Sequence, residues 1–568
     1  MLKKESHSET YYNVEQLKPT VANYKQWGIV KLYNNKRNFA KTVAWKAIDE
    51  MFEQNSYRQI KELIEKAYYN EKIRMKTDPY KIDPKDEKGF WSGVKKKLTS
   101  LDVNNLNEQA DELKALTESI LTRYANEIVG GFRYKTYLFA QKVIPVVLRR
   151  MLNSASAKNF DRIFSKKHSL KDKLFYAGEI DLIRKLATKT TLVFVPTHFS
   201  NLDSMLVGWT INSIGVPPVT YGAGLNLFRN SILARFIGRL GAYKLDRRKK
   251  NDLYNNTLKM YSQQLIEEEC NSLFFPGGTR SRSGALETRF KLGLLGTVVD
   301  AQYEICKKEN EDFKKIVIIP TVINYYFVLE AKQLIEQHLK KTGKEKFYLN
   351  NEADIKGFTT ILGYLWNFFS AESQAAVTFC PPIDVFGNRI DENLASIDKN
   401  GNHINIKDYF KQNDTYVNDK QRNFTFTKFL GDHILKSFKK GTIVFTSQLV
   451  AFVAYQMIQK QHPKMDIYGI LRLPEEDRIV AYDDFSKNVY TLINYLKQKA
   501  QRNEILLDKH LFGSIDAVIE HGIKNLGTYH KGKLLVINKE GYVSSENVAL
   551  LMFYHNRLTG FELEDVIE

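Results

Sequence analysis

A histidine and an aspartate five residues apart, His198 and Asp203, stand directly after the apolar run Thr191 to Thr197. On one continuous helix, positions i and i+5 are turned roughly 140° from each other and do not meet. If a strand ends at His198 and a helix starts near Ser200, Asp203 falls in the first turn and can reach back to the imidazole. A carboxylate on Nδ1–H leaves Nε2 open as a general base. The same segment also reads as Ser200-x-x-Asp203, a capping box in which the aspartate only caps a helix. His403 and Asp408 repeat the spacing inside a polar stretch, so spacing alone does not decide. Position favours the first pair, because sites in α/β folds collect beyond the carboxyl ends of strands.

A second constellation, Phe-Pro-Gly-Gly-Thr-Arg-Ser-Arg-Ser-Gly over 275–284, follows another apolar run, Asn271 to Phe275. Gly277 and Gly278 let backbone approach a ligand closely, and Arg280 and Arg282 offer paired donors suited to phosphate. Taken alone it is also readable as a tight turn with two solvated arginines, and the order of residues is not that of a Walker loop. A third run, Gly-Ala-Tyr-Lys-Leu-Asp-Arg-Arg-Lys-Lys over 241–250, ends in four cations and by itself reads as a basic surface turn.

These loops require a scaffold. Thr191 to Thr197, Asn271 to Phe275 and Lys315 to Thr321 are short β-rich apolar runs separated by helix-length segments, which predicts buried strands of an α/β sheet. Residues 1–150 carry helical periodicity, as in Thr42 to Phe52 and Arg58 to Ala67, with Lys95, Lys96 and Lys97 as a solvated face. Residues 151–390 are expected to hold the α/β unit and 391–423, rich in Asn, Asp and Lys, a polar loop or linker. Residues 424–568 are expected to be a second, largely helical region.

Lys and Arg number 84 against 65 Asp and Glu, a net charge of +19. That excess points to nucleic acid, anionic lipid or phosphorylated small molecules. Neither RNP aromatics nor a helix-turn-helix pattern is present, so a nucleic-acid partner is not expected. Cys270, Cys306 and Cys380 lack metal-ligand spacing, which predicts a reducing compartment and no metal site. The opening residues lack a secretory apolar core, and cytoplasmic placement is expected. Three uncharged stretches, Ser204 to Phe228, Gly357 to Ala371 and Gly441 to Gln459, are too broken, too short or too polar for a spanning helix.

Taken in order, the constellations resemble one family, the glycerolipid acyltransferases. PTHFSNLDS (Pro196 to Ser204) resembles its H-x4-D block. GLNL (Gly224 to Leu227) and GAYKLDRR (Gly241 to Arg248) resemble the second block, FPGGTRSRSG with Lys291 and Gly293 the third, and IIPTVINYY (Ile318 to Tyr326) the fourth, with its proline at Pro320. GLNL, the R-S-R-S-G tail and Tyr325 to Glu330 are closer to the glycerol-3-phosphate branch, and Gly441 to Tyr455 and Leu550 to Leu558 resemble that branch's carboxyl-terminal region. The resemblance implies a mixed sheet flanked by helices. It also implies transfer of an acyl group from acyl-CoA or acyl-carrier protein to the sn-1 hydroxyl of glycerol 3-phosphate, without a cofactor, in phospholipid synthesis. His198 and Asp203 would be catalytic. Arg247, Gly278, Thr279, Arg280, Ser281, Arg282, Lys291 and Pro320 would bind substrate, and the backbone at Gly277 and Gly278 is a candidate for holding the oxyanion. The positive charge would keep the protein peripheral on the anionic inner face of the cell membrane. One position departs from the family: most relatives carry Glu where this chain has Gly277. That leaves open a lysolipid acceptor, or a non-catalytic lipid- or carrier-binding relative.

Overall fold

A computed structural model describes residues 16–102, 105–143, 174–228, 231–308, 314–326, 328–343, 375–527 and 533–568. The stretch Gly357 to Ala371 and the opening fifteen residues lie outside that set.

Seven strands form the central sheet: β1 (Leu174–Gly178), β2 (Thr191–Pro196), β3 (Thr220–Gly224), β4 (Ala242–Leu245), β5 (Ser272–Leu273), β6 (Ile316–Tyr325) and β7 (Ala375–Phe379). They lie in the order β1-β7-β6-β2-β5-β3-β4. The pairs β2 with β6, β2 with β5, β3 with β5, β3 with β4 and β1 with β7 are parallel, and β6 meets β7 antiparallel, so the sheet is mixed as expected. All ten residues of β6 and all six of β2 are buried, because both strands are covered on both faces and have no solvent side to alternate with. The strand expected over Asn271 to Phe275 shortens to two residues, since Phe275 already begins the glycine turn.

The amino-terminal helices α1 (Gly28–Asn34), α2 (Lys36–Gln54), α3 (Tyr57–Thr77), α4 (Glu87–Ser100) and α5 (Ala110–Ile128) contain the two periodic segments read from the sequence. Lys95, Lys96 and Lys97 are exposed on α4. Helix α3 starts at a capping box, where Gln59 Oε1 accepts the Ser56 N–H at 2.8 Å and Ser56 Oγ accepts the Gln59 N–H at 3.4 Å. Its buried stripe runs Ile60, Ile64, Ala67, Glu71, Arg74, ending on two charges.

Within the α/β unit follow α6 (Ile180–Leu186), α7 (Asp203–Ser213), α8 (Ser231–Gly238), α9 (Asp252–Glu267), α10 (Leu292–Lys307) and α11 (Ala331–Thr342). The amino-terminal helices share a core with β4 and α9, through Tyr243, Leu253, Tyr254 and Tyr261. Residues between Arg389 and Tyr416 fold into short antiparallel pairings, in which His403 is exposed and Asp408 accepts from Asn405, so the second His/Asp spacing forms no pair.

Beyond them lie α12 (Lys420–Lys440), α13 (Thr446–Gln461), α14 (Ile467–Arg472), α15 (Tyr482–Gln501), α16 (Ile515–Asn525) and α17 (Val548–His555). Thirteen of the sixteen residues of α13 are buried, and its apolar residues join one continuous core with β2, β6 and β7. The uncharged Gly441 to Gln459 stretch is therefore core rather than membrane span. Among the described residues no helix is long and apolar enough to cross a membrane.

Candidate active site

The chain leaves β2 at Pro196, and α7 begins at Asp203, three residues later than the expected start near Ser200. The aspartate itself causes the delay. Its Oδ2 accepts the backbone N–H groups of Phe199 at 2.6 Å and Ser200 at 2.9 Å, so those residues wrap around the carboxylate instead of continuing a helix. The same oxygen lies 2.8 Å from His198 Nδ1. The capping-box reading is not realised, since Leu202 is the residue before the helix and no side chain caps it; Asp203 instead organises the turn and pairs with the histidine. Its other oxygen accepts the Tyr325 hydroxyl at 2.6 Å, delivered from the end of β6. Four donors satisfy a carboxylate with no exposed side-chain surface, which is what keeps a buried charge tolerable. Burial and then Asp203 push the Tyr325 phenol well above its ordinary range, so it remains a donor.

His198 is 18% exposed at its side chain, and its ring stacks on Phe275 at 4.0 Å. With Nδ1–H donated to Asp203, Nε2 is the nitrogen left to accept a proton. The loop 275–291 closes over this pair. Ser281 N–H donates to His198 O at 2.8 Å, Gly278 N–H to Phe275 O at 3.0 Å, and Lys291 N–H to Pro276 O at 3.0 Å. The Gly278 N–H is therefore committed to the turn, which corrects its candidacy as an oxyanion donor and leaves Gly277 as the glycine candidate. Gly278 has φ 74° and needs to be glycine on that ground, and a Cβ there would also meet the Lys291 side chain at 3.0 Å. At the other end Gly284, at φ 88°, lies against Phe553 O of α17, and Asn556 Nδ2 donates to Ser283 O at 2.9 Å. The carboxyl-terminal region thus buttresses the glycine loop.

Arg247 is brought in from the loop after β4, its Nη2 donating to Gly278 O at 2.7 Å. Arg247, Gly278 and Lys291 hence converge beside the His198 loop. The basic run around Arg247 is a surface turn only in part: Arg247 and Lys250 are exposed, whereas Arg248 and Lys249 are not. Arg248 bonds Asp246, Asp83 and the Asp78 carbonyl and lies over the Tyr80 ring at 3.9 Å, while Lys249 is buried 2.7 Å from Glu127. A recess of about 510 Å³ adjoins this run, lined in part by Leu225, Lys244, Asp246 and Lys249. Arg280 pairs with Glu330 at 3.3 Å, and Glu330 also accepts from Ser200 Oγ at 2.9 Å and the Asn201 N–H at 2.8 Å. Arg280 thereby ties the glycine loop to the His198 turn. Arg282 lies near α11, where His338 is held below its ordinary value by burial, Lys341 and Arg282. Thr279 lies in the turn, and its carbonyl comes close to Gly277. Pro320 is buried inside the sheet in register with Val195, outside the loop cluster.

With this geometry in place, the chain can be set beside known proteins. Residues 179–324 match the acyltransferase family. The match falls within the α/β unit and takes in the His198 turn, the glycine loop and most of β6. Curated relatives named glycerol-3-phosphate acyltransferase include one from Pseudomonas paraeruginosa, 23% identical over 46% of this chain and 28% of its own length. Another, from Baumannia cicadellinicola, is 29% identical over 38% of this chain and 24% of its own, and a Pseudomonas fluorescens protein is 26% identical over 50% and 29%. The chain spans less than a third of the length of the curated relatives it matches.

Around the His198 turn, sequence reasoning assigned no part to Tyr325, Glu330, Phe275, Glu287 or Arg557. Glu287 Oε1 accepts the His198 N–H at 3.2 Å, and burial pushes its carboxyl up to about 7. Arg557 is buried with its guanidinium 4.0 Å over the Phe199 ring, and burial lowers it to about 10. Each reaches the His198 turn from a distant part of the chain, so no local spacing announces it.

Proposed function

We propose that the protein transfers a fatty acyl group from acyl-CoA or acyl-carrier protein to the sn-1 hydroxyl of glycerol 3-phosphate, giving lysophosphatidate for phospholipid synthesis. The observation that carries this reading is the 2.8 Å His198–Asp203 pair beside a loop that gathers Arg247, Gly278 and Lys291. His198 Nε2 takes the acceptor hydroxyl proton as the oxygen attacks the thioester carbonyl. Asp203 holds the ring and stabilises the imidazolium. The tetrahedral intermediate collapses with loss of thiolate, which recovers the proton from His198. No acyl-enzyme is involved and no cofactor is required.

Arg247 and Lys291 bind the acceptor phosphate and so fix its hydroxyl near His198. Arg280, already neutralised in part by Glu330, serves chiefly to hold the loop, and Arg282 lies near His338 of α11. Ser281 and Thr279 contribute backbone, with Ser281 N–H setting the His198 carbonyl. The net charge of +19 supports a peripheral position on anionic lipid at the inner face of the membrane.

The test offers glycerol 3-phosphate and lysophosphatidate separately to the purified protein with labelled palmitoyl-CoA or acyl-carrier protein. Lysophosphatidate formed from glycerol 3-phosphate supports the reading. Product from the lysolipid alone moves the protein to the second acylation, and no product from either favours the non-catalytic lipid- or carrier-binding reading over the enzyme.

A further inference from the structure

Two adjacent glycines, Gly277 and Gly278, form the turn beside His198, and the backbone explains only one of them. Gly278 sits at φ 74°, whereas Gly277 is absent from the positive-φ positions and lies in a conformation any residue can adopt. What a side chain at 277 would meet is Glu287. A Cβ there would stand 3.2 Å from Glu287 Cγ and 3.3 Å from its Oε1, closer than ordinary packing, with Thr279 O next at 3.6 Å. The space in front of Gly277 is occupied by a carboxylate that comes from ten residues further along the chain.

That carboxylate is met by two backbone N–H groups, its own and that of His198, and the second ties it to the site. Its second oxygen, Oε2, is shut off from solvent and has no hydrogen-bond partner. The charged groups acting on it are Arg557, from the turn after α17, and Asp203, from α7. A buried carboxyl left half-satisfied is costly, and its cost is repaid only where its position matters. We propose that Glu287 is a positioning residue: it takes the room Gly277 leaves vacant and holds the His198 main chain so that the Asp203-bound imidazole presents Nε2 to the acceptor. This deepens the proposed acyl transfer and rests on that reading for its kinetic consequence, whereas the effect on the His198 ring does not depend on which substrate is used.

The geometry makes the role transferable. A carboxylate introduced at 277 addresses the same volume from the opposite side, and it fits only once Glu287 has been shortened.

The experiment compares the full chain with Glu287→Ala, Glu287→Gln, Gly277→Glu and the double variant Gly277→Glu/Glu287→Ala. Two readouts are used: the kcat of acyl transfer, and the NMR signal of the His198 Nδ1–H proton in substrate-free protein, assigned by its loss in His198→Ala. Glu287→Ala is expected to lower kcat about ten- to hundredfold with little change in the KM for glycerol 3-phosphate, and to broaden or erase the Nδ1–H signal. Glu287→Gln, which still offers an oxygen to the His198 N–H, is expected to keep the signal and most of the rate. Gly277→Glu alone crowds Glu287 and loses activity, and the double variant recovers the signal and at least a tenth of the wild-type rate. An Nδ1–H signal that persists unaltered in Glu287→Ala overturns the proposal. So does a double variant that folds, by its thermal melt, yet recovers neither signal nor rate. If the wild type transfers no acyl group, the functional reading fails, and the proton signal still decides the part played by Glu287.

Discussion

Two buried charged clusters sit on either side of the block that carries Arg247, and they are built in opposite ways. In the first, between the amino-terminal helices and the loop after β4, charges neutralise one another. Arg74 contacts Glu71 at 2.7 Å, Asp83 at 3.0 Å and also Glu87, Arg248 contacts Asp246 and Asp83, and Lys249 contacts Glu127. In the second, around His198, Asp203 is held by a ring nitrogen, two backbone amides and a phenol, none of them a permanent cation. Glu287 and Arg557 approach it with no ion-pair partner within 4 Å among the described residues, and Glu287 Oε2 and Arg557 Nη1 lack hydrogen bonds. The first cluster ties two regions of the chain together through ion pairs, whereas the second leaves Glu287 and Arg557 without such partners beside the histidine that would do chemistry.

The sharpest way to separate the clusters is to break the first. Arg74→Ala leaves Glu71 and Glu87 buried near Lys249 alone, and should cost about 3–5 kcal/mol in urea unfolding while the kcat of the folded fraction holds. A fall in kcat without a fall in stability would merge the two clusters into one. In the second cluster, Tyr325→Phe removes one donor from Asp203 and should lower kcat about tenfold, at a cost in melting temperature too small to account for it. Arg247→Ala should raise the KM for glycerol 3-phosphate roughly five- to tenfold and leave kcat nearly intact, since its donor acts on the acceptor rather than on His198.

The smallest effect is a pH dependence. The Glu287 carboxyl, at about 7, lies above the ordinary 4.5, so the folded state favours its protonated form. Its contribution to stability is complete below pH 4.5 and is lost as pH rises to about 7. Glu287→Gln cannot ionise, so its melting temperature should gain on wild type between pH 5 and 8, by on the order of 1–2 °C, and level off above. A constant difference across that range would show that the carboxyl does not titrate there.

The two clusters also differ in how far the sequence disclosed them. His198 and Asp203 lie five residues apart after a charge-free strand, and that local arrangement was readable together with β2, β6 and the amino-terminal helices. The start of α7 was misplaced because a side-chain carboxylate, invisible to periodicity, captures the amides of Phe199 and Ser200. Arg248 and Lys249 looked like solvated cations because their partners, Asp83 and Glu127, lie more than a hundred residues away. Glu287 was hidden for a subtler reason: a glycine in one place and a glutamate ten residues later become related only when the turn folds one into the other's space. Arg557 is further still, reaching the site only when α17 seats against Gly284.

The most direct test of the account is the rate of acyl transfer by His198→Ala with glycerol 3-phosphate and palmitoyl-CoA, alongside its thermal melt. A loss of about 10²- to 10⁴-fold in kcat with an unchanged melt is the predicted result. A variant that melts as the wild type does and keeps its rate would contradict the assignment of His198 as the base.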